Sequence, residues 1–233
     1  MTIEEQHYDF KMKLNKIDSQ QYRNLIIPQI DWLLNEAQEL FVKMVAQPRI
    51  AIHYGYEIGT RTLMDIRTVV TEEEEIVPTS NIVVLPESFW IYVSSYCRIK
   101  KGNCERNSLK TYIRQHDDDF ENSYFDKSSF EWKTVNGVFN KNGIKLYSED
   151  FEVTKFFLTY INKLKYIHNA KDFRGGTYTL PGNSISLSGS ENCELPEHTH
   201  REIVDIAVLL ATGQLQIPDY QIKKDKLSLN QII

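Results

Sequence analysis

The hydrophobic pattern of this 233-residue chain changes along its length, and that change constrains the fold most. In the first third, apolar residues recur at intervals of three and four, which is typical of helices with one buried face. Farther along, apolar and polar residues alternate, and β-branched and aromatic residues are common, which is typical of strands. Helices that come first and strands that follow favour an α+β fold over alternating βαβ units. We therefore expect N-terminal helices, a central antiparallel β-sheet or sandwich, a C-terminal packing helix and an extended tail.

We expect a single domain over residues 1–233 with three successive parts. The helical part covers about 1–75, the β-rich part about 76–192, and the C-terminal helix with its tail about 193–233. Helices are predicted at about 7–17, from Pro28 to Pro48 and at about 57–70. The four glutamates Glu72–Glu75 are predicted to end the helical part as a solvated run, because adjacent like charges repel one another.

Several strands and turns are predicted in the β-rich part. A strand is expected from Phe89 to Ile99, where odd-numbered apolar residues would share one face. Asn136-Gly137 and Asn142-Gly143 predict hairpin turns, with short strands around them at Phe130–Trp132, Val138–Phe139 and Ile144–Tyr147. The pattern from Phe151 to Ile167 fits a strand and a helix equally. Residues 174–192, rich in Gly, Ser and Asn, predict a hairpin with a mobile tip, and the tail 217–233 is expected to be extended.

Composition excludes several classes of protein. Hydrophobic residues make up 41% and charged residues 25% of the chain, as in ordinary soluble domains. A net charge of −5 argues against a protein that wraps nucleic acid, which needs a basic surface. The three cysteines form no CxxC pair, which indicates a reducing compartment. We expect no signal peptide and no membrane span, because the chain lacks apolar runs of the required kind.

The segment Leu195–Ala211 predicts the C-terminal helix. Thr199 and Glu202 fit a capping box, in which each side chain accepts a hydrogen bond from a backbone N–H at the helix start. An apolar face then follows at helical spacing, with two small alanines that allow a close approach of another element: Ile203, Ile206, Ala207, Leu210 and Ala211.

Cys193, His198 and His200 are candidate zinc ligands in the same region. Structural zinc sites usually supply four ligands with paired spacings. The two histidines are two residues apart and would point to different sides of a helix. We therefore interpret them as solvent-exposed or bonded to nearby carboxylates, and we expect no metal site.

No other catalytic constellation emerges. Asp117–Asp119 is interpreted as a solvated turn, because carboxylates that bind a metal converge from different elements. The chain has no GxSxG elbow and no cysteine in a catalytic context. Arg174–Thr177 is too short for a phosphate-binding loop. The histidines are scattered, at His7, His53, His116, His168, His198 and His200. We expect no catalytic, cofactor-binding or metal-binding residues and no enzyme activity.

Aromatic residues on secondary faces are the remaining feature. Trp32 lies off the apolar stripe of its helix, and Trp90, Tyr92 and Tyr96 share the second face of the predicted strand. Such a face is covered either by the domain itself or by another subunit, and the sequence favours neither alternative.

Short blocks across the chain resemble neck proteins of crAss-like tailed bacteriophages. They are Ile30–Gln38 (IDWLLNEAQ), Gly55–Glu57 with Asp65–Arg67, Leu85–Phe89 (LPESF), Cys193–Val208 and Asp219–Gln221 (DYQ). The sequence departs from the family pattern at Tyr56 and at Thr212–Gln214, where the last helix would be expected to continue.

The resemblance implies a virion structural protein in the head–tail connector. It implies a homo-oligomeric ring, commonly dodecameric, that docks below the portal, contacts other neck and tail proteins and leads genome DNA into the tail. The ring would assemble in the host cytoplasm, without a cofactor or catalytic residues. A ring subunit needs two different interaction faces, and the aromatic face, the Gly/Ser-rich hairpin and the tail are candidates. The acidic charge also suits a conduit through which DNA slides, because a basic wall would hold the phosphates.

Two alternatives belong to other classes of protein. One is a metal-dependent nuclease or other hydrolase that uses Asp117–Asp119 or the pair His198 and His200. The other is a monomeric capsid decoration or cargo protein.

Overall fold

The computed structural model describes residues 1–15, 25–46, 64–108, 110–114, 127–180 and 185–214. Helices and antiparallel sheets are both present, so the predicted α+β fold is confirmed. The chain divides into two compact units. The first combines Met1–Thr68 with Leu164–Ile233, and the second is Val69–Lys163. Thus the first unit is built from both ends of the chain.

The described residues form three long helices and twelve strands. The helices are α1 (Ile3–Asn15), α2 (Ile27–Ala46) and α3 (His200–Gln214), and short 3₁₀ turns cover Arg67–Val69, Ala170–Asp172 and Glu197–Thr199. The strands are β1 (Val70–Ile76), β2 (Ile82–Val83), β3 (Phe89–Lys101), β4 (Cys104–Asn107), β5 (Lys110–Arg114), β6 (Thr134–Asn140), β7 (Gly143–Tyr147), β8 (Glu152–Asn162), β9 (His168–Asn169), β10 (Thr177–Thr179), β11 (Ser186–Ser188) and β12 (Ser190–Glu191).

In the first unit, α3 packs against both α1 and α2. Ala207 and Ala211 are buried on α3, as predicted, and their small side chains let the other helices approach. The predicted capping box at Thr199 is wrong, because Thr199 lies inside a 3₁₀ turn and its hydroxyl donates to the carbonyl of Pro196. A reciprocal capping pair instead begins α1, where Thr2 and Glu5 bond to each other's backbone N–H.

The second unit is a sandwich of two four-stranded sheets. One sheet has the strand order β1-β8-β3-β4 and the other β2-β7-β6-β5. All pairs are antiparallel except β5 with β6, which run parallel. Their facing side chains form one apolar core, which includes Ile99, Ile144, Leu146, Phe156 and Leu158. The predicted central sheet or sandwich is therefore present.

Bulges alter the predicted face of β3. The register with β8 shifts between Phe89 and Ile91 and again between Tyr92 and Ser94. Each extra residue reverses the alternation of side chains. As a result Tyr92 packs against the core while Val93 is exposed, and Cys97 and Ile99 return to the interior.

Asn136-Gly137 is not a turn, which corrects one hairpin prediction. Both residues lie inside β6 and pair with Tyr147 and Leu146 of β7. A Cβ atom on Gly137 would lie 3.1 Å from side-chain atoms of Ile113 and Ile144, so glycine permits the close approach of three strands. The β6–β7 connection lies at the other predicted site, Lys141–Asn142, directly before Gly143.

Other local predictions are corrected or resolved. Glu72–Glu75 does not end a helix but lies in β1, and Phe130–Trp132 is a turn rather than a strand. The ambiguous segment contains a strand, β8, and β10 pairs with β11 as the predicted hairpin. α2 confirms the helix predicted between the two prolines, whereas Val70 belongs to a strand rather than the third helix. Residues 16–17 and 57–63, residues 181–184 of the predicted hairpin, and the predicted tail 217–233 lie outside the described residues.

α3 continues through Thr212 and Gly213 to Gln214. None of the helices in the described part of the chain is both long and apolar enough to cross a membrane.

Candidate functional site

A polar stripe runs along the buried side of α2. Asp31, Asn35 and Gln38 occupy positions i, i+4 and i+7, which lie on one face of a helix. All three are buried, although they lie beside the apolar residues that pack the same helix. Buried polar groups need hydrogen-bond partners, so the partners of these three side chains indicate what the stripe does.

The stripe binds the backbone of the segment from Lys165 to Asn169, which ends in β9. Asn35 donates to the carbonyl oxygen of Ile167 at 2.7 Å and accepts from its N–H at 2.9 Å. Gln38 donates to the carbonyl of Lys165, and the N–H of Asn169 donates to Asp31. Alternate residues of an extended chain are about 6.6 Å apart, close to the rise of about 6 Å over four helical residues. The stripe therefore pairs with this segment much as a neighbouring strand would.

Asp31 is the centre of this network and is fully buried, with 0% of its surface exposed. The Tyr178 hydroxyl donates to Oδ2 at 2.6 Å, and Nε2 of His7 lies 2.7 Å from Oδ1. Burial, together with the Asp31 carboxylate, raises the pKa of Tyr178 and raises that of Tyr166 to about 12.

The Asp31 network resembles acid–base machinery in its residue types but not in its accessibility. A general acid or base must reach its substrate within hydrogen-bond distance. Asp31, His7 and Tyr178 are all buried. Their hydrogen bonds join α1, α2 and β10, so the geometry favours a role in stabilising the first unit.

The residues considered for zinc do not share a site. Cys193 donates to Oε1 of Gln38, and burial raises its pKa to about 11. Nε2 of His198 lies 2.6 Å from Oδ1 of Asp65, as predicted for a histidine bonded to a nearby carboxylate. His200 is buried and bonds to the backbone carbonyl of Leu195. Within the described residues, no three His, Cys, Asp or Glu side chains form a group that suits a metal ion.

Of the two acidic runs, Asp117–Asp119 and Glu72–Glu75, the structure describes only the second. Asp117–Asp119 lies outside the described residues. In the other run, Glu74 accepts from the Tyr160 hydroxyl at 2.6 Å, and Glu75 pairs with Lys155 at 2.6 Å. These two glutamates thus bind side chains of the neighbouring strand β8. Arg174–Thr177 forms the turn that enters β10, where two glycines adopt positive φ angles.

The aromatic residues of β3 divide between two faces. Tyr92 contacts Phe139 edge to face at 5.9 Å between ring centroids, within the sandwich. Tyr96 stacks on Phe157 at 4.6 Å. The chain itself therefore covers part of the aromatic face. Trp32 stays largely in solvent, with 53% of its surface exposed.

Sequence reasoning missed an exposed tryptophan and a groove in the second unit. Trp132 has 78% of its surface exposed, in a turn where a strand was predicted. The groove has a volume of 560 Å³ and is lined by residues of three segments: Ser80, Asn81, Ile82, Lys127, Ser128, Lys145, Leu146, Tyr147, Ser148 and Glu149. No signal in the sequence brings these segments together, because their proximity depends on the pairing of β2 with β7.

No family model matches the sequence, and no curated protein matches it.

Proposed function

We propose that this protein is a structural subunit of the head–tail connector of a tailed bacteriophage. Copies of the chain would form a ring, commonly dodecameric in such connectors, between the portal and the tail, and genome DNA would pass through it. The blocks of sequence that resemble neck proteins of crAss-like phages motivate the proposal. It assigns the chain no catalytic residue and no cofactor.

One structural observation supports an assembly role over catalysis. Each compact unit leaves large apolar side chains in solvent: Tyr8 and Met12 one turn apart on α1, and Trp132 in the sandwich. Head-to-tail closure of a ring requires two different surfaces on every subunit. The buried Asp31 network, by contrast, has the inaccessibility expected of a structural element.

Co-assembly with the portal tests this function. The full chain is produced with the portal protein of the same genome, purified through a tag on the portal and imaged by electron microscopy. We expect an additional ring, coaxial with the portal, and a mass that is a whole multiple of the subunit mass. Absence of any association would overturn the proposal, as would metal-dependent nuclease activity of the purified chain.

The same purified sample distinguishes the monomeric alternative. A decoration or cargo protein would bind capsid rather than portal and would remain monomeric. Parallel pull-downs on portal and on empty capsids, followed by native mass spectrometry, therefore separate the two structural roles.

A further inference from the structure

A glutamine of α1 is enclosed without a hydrogen-bond partner. Gln6 has 0% of its surface exposed, and neither Nε2 nor Oε1 finds a partner among the described residues. Exchanging the oxygen and the nitrogen of the amide does not help, because neither position has a partner. A buried amide without hydrogen bonds is costly and rare in folded proteins. This amide therefore requires a partner that the chain itself does not supply.

Other unpartnered polar atoms lie beside the Asp31 network. Within the part of the chain that the structure describes, Nδ1 of His7, Oδ1 of Asn169 and the hydroxyl of Tyr166 are buried and unpartnered. His7 and Asn169 bond to Asp31 through their other atoms, and burial together with the nearby Asp31 carboxylate raises the pKa of Tyr166 to about 12. Since α1 also packs against β9, these groups and Gln6 belong to elements that meet in the first unit.

The atom types identify the missing partner. Nε2 of Gln6 is a hydrogen-bond donor, whereas Oε1 of Gln6 and Oδ1 of Asn169 are acceptors. A cation would leave the donor unpaired, an anion would leave the oxygens unpaired, and an apolar molecule would leave both. Water donates and accepts, and a buried water molecule typically makes about three hydrogen bonds to groups of this kind.

Asp31 itself is already fully engaged, which argues against a metal ion at this place. Its Oδ2 accepts from the Tyr178 hydroxyl at 2.6 Å, and its Oδ1 lies 2.7 Å from Nε2 of His7. The N–H of Asn169 lies 3.2 Å from each of the two oxygens. Protein and not metal therefore surrounds the carboxylate, and the unpartnered atoms lie around it rather than on it.

We propose that the first unit binds internal water at the Gln6 amide and at the unpartnered atoms beside Asp31. The water molecules supply the hydrogen bonds that α1 and the segment from Tyr166 to Asn169 leave open. They are part of the folded structure, and Gln6 is the side chain that anchors them on α1.

A high-resolution crystal structure of the full chain tests the position of the water. We expect a water oxygen within about 2.7–3.2 Å of Nε2 or Oε1 of Gln6. A second water is expected within the same distance of Oδ1 of Asn169 or Nδ1 of His7. A Gln6 amide that contacts only protein atoms would overturn the proposal.

Gln6→Met tests the energetic role of the water. Methionine has nearly the same volume as glutamine but forms no comparable hydrogen bonds, so the variant would leave the bound water with too few partners. We expect the temperature of thermal unfolding to fall by more than about 2 °C. If the amide were dry, replacing an unpaired polar group by an apolar one would instead stabilise the fold. An unchanged or raised unfolding temperature would therefore contradict the proposal.

Lys11→Met is the matched control, because it introduces the same residue at an exposed position of the same helix. Its unfolding temperature should stay close to that of the natural chain, and circular dichroism verifies that both variants are folded. If Gln6→Met does not fold, the crystal structure of the natural chain decides the question. Both measurements use the isolated chain, so their outcome does not depend on the connector function.

Discussion

The hydroxyl of Tyr178 donates a 2.6 Å hydrogen bond to Oδ2 of Asp31, and this bond joins residues 147 positions apart in the sequence. It places a strand from the C-terminal half of the chain against a helix from the N-terminal half. Since a buried carboxylate is stable only when its oxygens are hydrogen bonded, the two parts of the first unit depend on each other.

Asp31→Asn leaves the volume of the side chain almost unchanged but should destabilise the protein. The new amide would direct N–H groups toward the donors of Tyr178, His7 or Asn169, and buried donors would lose their acceptor. We expect the free energy of unfolding to fall by about 1–3 kcal/mol, the cost typical of leaving a buried hydrogen-bonding group without its partner. Urea denaturation measures it. Glu36→Gln, an exposed change on the same helix, should stay within about 0.5 kcal/mol. Equal effects of the two changes would contradict the role assigned to Asp31.

Alkaline pH should weaken the fold through Tyr178 and Tyr166. Their pKa values are raised in the folded state above the ordinary value of 10.0, that of Tyr166 to about 12. The unfolded chain therefore loses these protons first, and the stabilisation present below pH 10 is lost as the pH rises toward 12.

Tyr178→Phe provides the comparison. It should unfold more easily at pH 7, because Asp31 loses a donor, but its free energy of unfolding should fall less steeply between pH 10 and 12. Tyr8→Phe alters an exposed tyrosine and should follow the natural chain. Parallel curves for Tyr178→Phe and the natural chain would argue against this assignment.

Gly137→Ala should strain the sandwich core. The added methyl group would lie 3.1–3.2 Å from side-chain atoms of Ile113, Ile144 and Leu146. Overpacking of this kind costs about 1–3 kcal/mol. Ile113→Val removes the Cδ1 methyl group that would lie 3.1 Å from the added carbon, so the double variant should recover part of the lost stability. Thermal unfolding of the two single variants and the double variant measures this coupling, and simple additivity would indicate that the methyl group fits without strain.

The three cysteines should react very differently with a thiol reagent. Cys104 is exposed, whereas burial raises the pKa of Cys97 to about 12 and that of Cys193 to about 11. Because the thiolate is the reactive form, we expect one fast thiol at pH 8 in the folded chain and three after denaturation. Cys104→Ser should eliminate the fast reaction. A fast thiol that persists in this variant would show that another cysteine is accessible.

Periodicity in the sequence was sufficient to predict the long helices, but not to predict which side chains of a strand face the core. The helical spacing of apolar residues predicted α2 and α3, because a helix of that length presents one continuous face. The bulges in β3 reversed the alternation of side chains, and no single-strand pattern reveals where a partner strand shifts its register. The pair Asn136-Gly137 predicted a turn. The real reason for a glycine at 137, the close packing of its neighbours, is known only from the structure.

The candidate site illustrates the same difference more strongly. Asp31, Asn35 and Gln38 are polar residues at helical spacing, a pattern that usually marks a solvated face. Their spacing was visible as a pattern, but their burial was not, because the segment that covers them begins at Lys165, 127 residues after Gln38. The groove of the second unit could likewise not be predicted, since its three segments meet only through strand pairing.

By itself, the sequence determined the α+β class, the positions of the long helices and the absence of any recognisable catalytic motif. These properties follow from local periodicity and from residue types at short spacing. Only the tertiary structure decided that both ends of the chain build one unit, that a polar helix face is buried and that Trp132 stays exposed. The physical reason is that a residue is buried or hydrogen bonded by another segment of the chain, and segments distant in sequence are brought together only by folding.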